Sequence, residues 1–214
     1  MKKLICVLFI IISLPSHSQE SKYDNVLKSI KEIDYSLKLG SIEFMQIVFK
    51  SGSASKEAKD FWVLNSKKDT ISVNKAKLIL DTYGFLGEAE IGKEPCQTLY
   101  KRILRSEATV MEKYLPILKD GFKSNKLSAV DYAIFEDTYL VKKGLKQKYG
   151  TQQGQLANHD VFLFLPIQDP ENIDVIRLQE LGLKPLKEQH FNWDLEKYFK
   201  NLKKSQEFLE SLLR

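Results

Sequence analysis

Along most of this chain the apolar residues recur three and four positions apart, and that spacing limits the fold more than any other feature. Val26, Leu27, Ile30, Ile33 and Leu37 form one such stripe, and Ala76, Ile79, Leu80 and Tyr83 a second. Met111, Tyr114, Leu115, Leu118 and Phe122 make a third, followed by Tyr132, Phe135, Tyr139 and Leu140. Leu195, Tyr198, Phe199, Leu202, Phe208 and Leu212 close the series. A period near 3.6 places each set on one face of a helix. The chain therefore reads as amphipathic helices that bury those faces against one another.

The punctuation between the stripes agrees. Gly40 is placed to end a helix over 22–39, and Gly84 to end one that starts from Asp69 or Ser72 and runs to Tyr83. Residues 41–50 fit a buried helix or a strand equally, and Ser51 to Ser55 have the composition of a loop. Gly84, Gly87, Gly92 and Pro95 mark a second loop, with a helix opening near Pro95. Pro116 is expected to kink or restart the helix over 108–123. Ser128 and Asp131 have the spacing of a helix start, and Gly144 closes that helix. Asp169-Pro170-Glu171 opens another, which Gly182 ends.

One run departs from this rhythm. Val161-Phe162-Leu163-Phe164-Leu165 is short, apolar and rich in β formers, so it reads as a strand. A partner over 146–152 would complete a hairpin, with residues 154–159 as its loop. The expected fold class is mainly α: one domain over residues 19–214, a helical bundle-like core with a small β-hairpin.

Residues 1–18 read differently. Lys2 and Lys3 precede an apolar run from Leu4 to Leu14, then Pro15-Ser16-His17-Ser18. That is the pattern of a secretory signal peptide, with cleavage expected before Gln19. The run is too short to span a bilayer, and Cys6 lies inside it and not at its end, which argues against a lipoprotein. The expected location is periplasmic or secreted, with no transmembrane segment in the mature chain. Removing residues 1–18 takes away two lysines and no acid, so the formal charge falls from +5 to +3. The basic residues are dispersed, and so mild an excess argues against nucleic acid as a partner. Cys96 is then the one cysteine left, which rules out an intramolecular disulfide and leaves the apolar core to hold the fold.

The usual signatures of chemistry are absent from the sequence. His159 and His190 are far apart, too few for a metal site. No paired-cysteine motif, H-E-x-x-H or G-x-S-x-G occurs. No metal or cofactor is expected. Cys96, at a helix start, could have a lowered pKa, but a lone buried cysteine is the simpler reading. Glu171 and Asp174 are explained by the helix dipole.

The stretch Lys146 to Gln153, KQKYGTQQ, is different. Uncharged hydrogen-bonding side chains cluster there beside a predicted strand: Gln147, Tyr149, Thr151 and Gln152. Such a cluster can orient a ligand without ionic chemistry, or it can be a tight bend around Gly150. Gln147-x-Tyr149-Gly150-Thr151-Gln152 resembles the Q-x-Y-G-T-Q signature of a bacterial domain family of unknown function. Further pieces fall in the family's order: Asp69, Tyr83-Gly84, Gly92, Lys113-Tyr114-Leu115-Pro116, Asp137, Pro166-Ile167, Asp169-Pro170, Asn172-Ile173-Asp174, Arg177 and Gly182-Leu183. The resemblance extends over roughly residues 40 to 190.

The resemblance also implies residues this chain lacks. The family's D-Q-x-x-R falls on Met45-Gln46-Ile47-Val48-Phe49, an asparagine on Ser72, a histidine on Arg105 and an arginine on Thr138. Arginine cannot shuttle a proton near neutral pH, and paired loss of two charges to Met45 and Phe49 suits a repacked apolar interior. The expectation is therefore a non-catalytic binding or interaction module for a small molecule or protein. Its polar groove would be formed by Gln147, Tyr149, Thr151 and Gln152, with Asp69 or Asp137 opposite. The alternative is a hydrolase with Asp137 as base and Tyr149 or Thr151 at the reacting centre. A third reading makes the segment a folding corner.

Overall fold

The computed structural model describes residues 22–53, 55–155 and 162–213. The chain is mainly α, with a two-stranded antiparallel hairpin. Residues 1–18, the expected leader, lie outside the described residues. No described helix is long and apolar enough to cross a membrane.

Helices α1 (Asp24–Ser51) and α2 (Lys56–Tyr83) form a long hairpin, each about 42 Å at 1.5 Å per residue. The first correction is here: α1 runs through Gly40. A single interior glycine costs only about 1 kcal/mol relative to alanine, and the apolar residues beyond it keep the helical spacing. Phe44 stacks on Phe61 of α2 with ring centroids 5.6 Å apart. Likewise α2 starts well before Asp69. The Ser55 hydroxyl accepts from the Ala58 N–H at 3.1 Å, and Ala58 and Phe61 are buried in the turns that follow.

A short α3 (Glu88–Ile91) interrupts the expected loop, held by the Gly87 N–H donating to Glu90 Oε2 at 2.8 Å. Next come α4 (Lys93–Leu104), with Pro95 in its first turn, and α5 (Ala108–Lys123). Pro116 neither stops nor restarts α5, because Met111, Tyr114 and Leu118 anchor the helix to the core on both sides of it. Ser128 caps α6 (Ala129–Lys142) as expected, its hydroxyl accepting from the Asp131 N–H at 3.0 Å.

Strands β1 (Gln153–Gln155) and β2 (Phe162–Phe164) pair antiparallel, Gln153 opposite Phe164 and Gly154 opposite Leu163. The partner strand thus lies later than residues 146–152, which are committed to other bonds. Gln147 joins the sheet region through a parallel bridge to Ile167, and the Gln152 carbonyl accepts from the Leu165 N–H at 3.1 Å. Gly154 is in the strand, not the loop, and residues 156–161 lie outside the described residues. Then follow α7 (Ile173–Leu181), ended by left-handed Gly182, α8 (Leu186–Gln189) and α9 (Leu195–Ser211), capped by Asp194.

The buried apolar residues form two clusters. The larger joins α1, α2, α4, α5 and α6 and includes Tyr149. The smaller comprises Phe164, Ile167, Ile173, Leu186, Trp193 and Tyr198.

Candidate functional site: a buried carboxylate beneath the Tyr149 corner

The cap at Ser128 fixes the phase of α6, and that phase turns Tyr132, Ala133, Phe135 and Asp137 into the core. Asp137 has no solvent exposure. An isolated carboxylate there would be prohibitively costly, and the chain answers with the segment after α6. Asp137 Oδ1 accepts from the N–H groups of Lys148 at 2.7 Å and Tyr149 at 2.9 Å. Oδ2 accepts from the Thr151 N–H and the Thr151 hydroxyl, both at 2.9 Å. The bend that aims three N–H groups at one carboxylate requires Gly150 at φ 71°. A Cβ there would also come within 2.8 Å of Leu186 Cδ2. Burial pushes the Asp137 carboxyl up from its usual range, while the backbone donors and the Thr151 hydroxyl pull it down.

Gln147 holds the far side of the bend. Fully buried, it donates from Nε2 to the carbonyls of Gln152 at 2.9 Å and Leu165 at 2.7 Å, and accepts from the Gln152 N–H at 2.7 Å. Its amide thus acts as a piece of strand that bridges the bend to β2's exit. The Tyr149 carbonyl accepts from Arg177 Nη1 at 2.5 Å. Arg177, also fully buried, donates from Nε to the Lys184 carbonyl at 3.0 Å and from Nη2 to Gln189 Oε1. One peptide segment is thereby strung between a buried anion and a buried cation.

Only part of the corner reaches outward. The Tyr149 ring is buried, but its hydroxyl meets Glu180 Oε2 at 2.9 Å and Glu136 Oε2 at 3.2 Å. Burial and the nearby Glu136 carboxylate push the phenol's pKa up, so it stays protonated. Lys148 Nζ lies 2.5 Å from Glu180 Oε2 and 5.3 Å from the centre of the Tyr149 ring. Burial alone would raise Glu180, but Lys148 and the Tyr149 hydroxyl hold it below the usual range. Thr151 and Gln152 are half-buried, and the Gln152 amide donates to the Thr151 hydroxyl at 3.0 Å.

Of the six residues that sequence reasoning selected, Asp137, Gln147, Tyr149, Thr151 and Gln152 come together. Asp137 sits beneath the segment and not opposite it. Asp69 is elsewhere in the bonding network: its exposed carboxylate pairs with Arg102 of α4, Nη1 to Oδ1 at 2.7 Å. Glu136, Glu180 and Gln189 carry no sequence signal of their own, and Arg177 enters only as a piece of the family pattern.

The substituted positions contain a correction. Met45 and Phe49 are 66% and 95% exposed, on the face of α1 away from Val26, Ile30 and Ile33, so they do not repack an interior. Ser72 is buried, Arg105 is exposed, and the Thr138 hydroxyl donates to the Ile134 carbonyl at 2.6 Å. Burial pushes the Cys96 thiol up to about 11, the reverse of an activated nucleophile. No group of three or more potential metal ligands occurs among the described residues. His159 and Asp160 lie outside them.

No curated protein and no solved structure matches the chain. A family model does match, over residues 46–200, which span the corner, both strands and the helices from the end of α1 into α9. The chain belongs to that family, a family of unknown function (DUF6624).

Proposed function

We propose that this protein is an exported, non-catalytic binding or interaction module. The observation that carries the reading is the saturation of Asp137: both oxygens accept from the corner, and no part of the residue meets solvent. A general base needs a free lone pair within reach of the proton it removes, and Asp137 offers none. Thr151, the candidate nucleophile, gives its hydroxyl proton to Asp137 and accepts from Gln152. What supports binding is the polar group left at the rim: the Tyr149 hydroxyl, Glu136, Glu180 and Lys148, with Thr151 and Gln152 at their margin. Two carboxylates and a phenol in that arrangement suit a ligand rich in hydrogen-bond donors, such as an amine or a polyol. The leader-like pattern of residues 1–18 supports export.

The test uses the full chain. Cell fractionation should place the protein outside the cytoplasm with Gln19 at its N-terminus. Thermal-shift titration with small amines and polyols should find stabilisation that Glu180→Gln and Tyr149→Phe weaken. The reading fails if wild-type protein hydrolyses ester, amide or glycoside model substrates and Asp137→Asn folds normally but loses that turnover.

A further inference from the structure

His190 lies at the end of α8, where its ring touches both strands of the hairpin. Its Nδ1 is 3.1 Å from the side-chain nitrogen of Gln153 in β1. Its ring meets Phe164 of β2 edge-on, with centroids 5.4 Å apart. Its neighbour Gln189 accepts from Arg177, the buried cation that holds the Tyr149 carbonyl. An amide N–H that points at Nδ1 needs a lone pair there, so this contact selects the neutral ring with its proton on Nε2. A second proton, on Nδ1, would face that N–H.

We propose that His190 is a proton-sensitive tie between α8 and the β-hairpin: neutral, it joins them, and protonated, it lets them part. The charges around it oppose protonation. From α7, Arg177 acts on the ring as a like charge. β1 and β2 present the neutral Gln153 and Phe164. On α8 itself Lys187 is exposed, and Glu188 is occupied with Lys184 at 3.3 Å. Among the described residues no carboxylate compensates a charged ring. Burial, and then Arg177, hold the imidazole below its ordinary value of 6.5. A flip of the Gln153 amide would restore one hydrogen bond but would remove neither the burial nor the Arg177 charge.

The sign follows from linkage. The fold binds this proton less tightly than the unfolded chain does, so the tie is intact above 6.5 and weakens as pH falls below it. The proposal does not rest on the ligand site, since the His190 ring bonds to Gln153 and packs on Phe164 and not on the Glu136, Tyr149 and Glu180 group.

The experiment is a pH titration of the full mature chain by NMR, followed over roughly pH 8 to 5, the range in which an imidazole titrates. The His190 ring should titrate below 6.5, and the Gln153 side-chain amide and the backbone amides of 153–155 and 186–190 should shift with it. In His190→Gln, which keeps a neutral polar side chain, that coupled transition should vanish and the hairpin amides should stay constant. A ring that titrates at or above 6.5, or hairpin amides that move identically in His190→Gln, overturns the proposal. Should His190→Gln fail to fold, the wild-type titration decides by itself.

Discussion

At the scale of single residues, Asp137 shows how a carboxylate can be buried without a cationic partner in direct contact. Its four donors are neutral, and each hydrogen bond to a charged group contributes roughly 1.5–3 kcal/mol. Arg177 stands on the other side of Tyr149, so the two buried charges hold successive peptide groups of one residue: its N–H faces Asp137 and its carbonyl faces Arg177. Asparagine at 137 preserves shape but replaces one acceptor oxygen with an NH2 group aimed at other donors. We expect Asp137→Asn to lose about 3 kcal/mol or more of stability, read from the midpoint of urea unfolding. A loss under about 1 kcal/mol would mean that the carboxylate is not what fixes the bend. That Gln147, Tyr149, Thr151 and Gln152 belong together was legible in the sequence, because they are adjacent. Their partners were not legible. Glu136 and Glu180 look like any solvated helix acids, and only the folded chain brings them to one phenol from α6 and α7.

At the scale of elements, sequence spacing predicted helices well wherever one face was uniformly buried, and less well at their boundaries. Gly40 is the informative failure: its penalty is only about 1 kcal/mol, and beyond it Phe44 still packs on Phe61 of α2. Pro116 lies inside a continuous α5, flanked by the buried Met111, Tyr114 and Leu118. The hairpin was legible in the short apolar, β-forming run of 161–165 that contains β2, but not in β1. Residues 153–155 read Gln-Gly-Gln, with no β-forming signal. Gly154 explains the choice. A Cβ at that position would run into the ring of Phe208 on α9, so the strand is glycine there because a helix lies across it. Ser205 of the same helix donates to the Phe164 carbonyl. Gly154→Ala should therefore lift α9 from the sheet and cost about 1–3 kcal/mol, the range for overpacking. Phe208→Ala should make room and reduce that cost. A double-mutant cycle measures the coupling, and additive losses would show that α9 does not rest on Gly154.

At the scale of the whole molecule, two apolar clusters must behave as one folding unit or as two. The larger is built from α1, α2, α4, α5 and α6 together with Tyr149, Leu181 and Leu183, and the smaller from Phe164 and Ile167 at the hairpin's exit, Ile173, Leu186, Trp193 and Tyr198. Tyr149 belongs to the first cluster, while Ile167, Ile173 and Leu186 belong to the second. Arg177 spans the two: it grips the Tyr149 carbonyl on one side, and the Lys184 carbonyl and Gln189 next to Leu186 on the other. Replacing it with methionine keeps much of the volume but leaves those neutral acceptors without donors, at about 1–3 kcal/mol for each that stays unsatisfied. The consequence is a change in cooperativity as well as in stability. Trp193 sits in the second cluster, so in a Trp62→Phe background its fluorescence reports that cluster alone, while far-UV circular dichroism follows the helices of both. The two signals should trace one urea transition in the parent protein. In Arg177→Met the fluorescence transition should move to lower urea and separate from the dichroism. If both signals shift together and stay superimposed, the clusters are coupled through α7, which places Ile173 in one and Leu181 in the other, and not through the guanidinium beneath the corner.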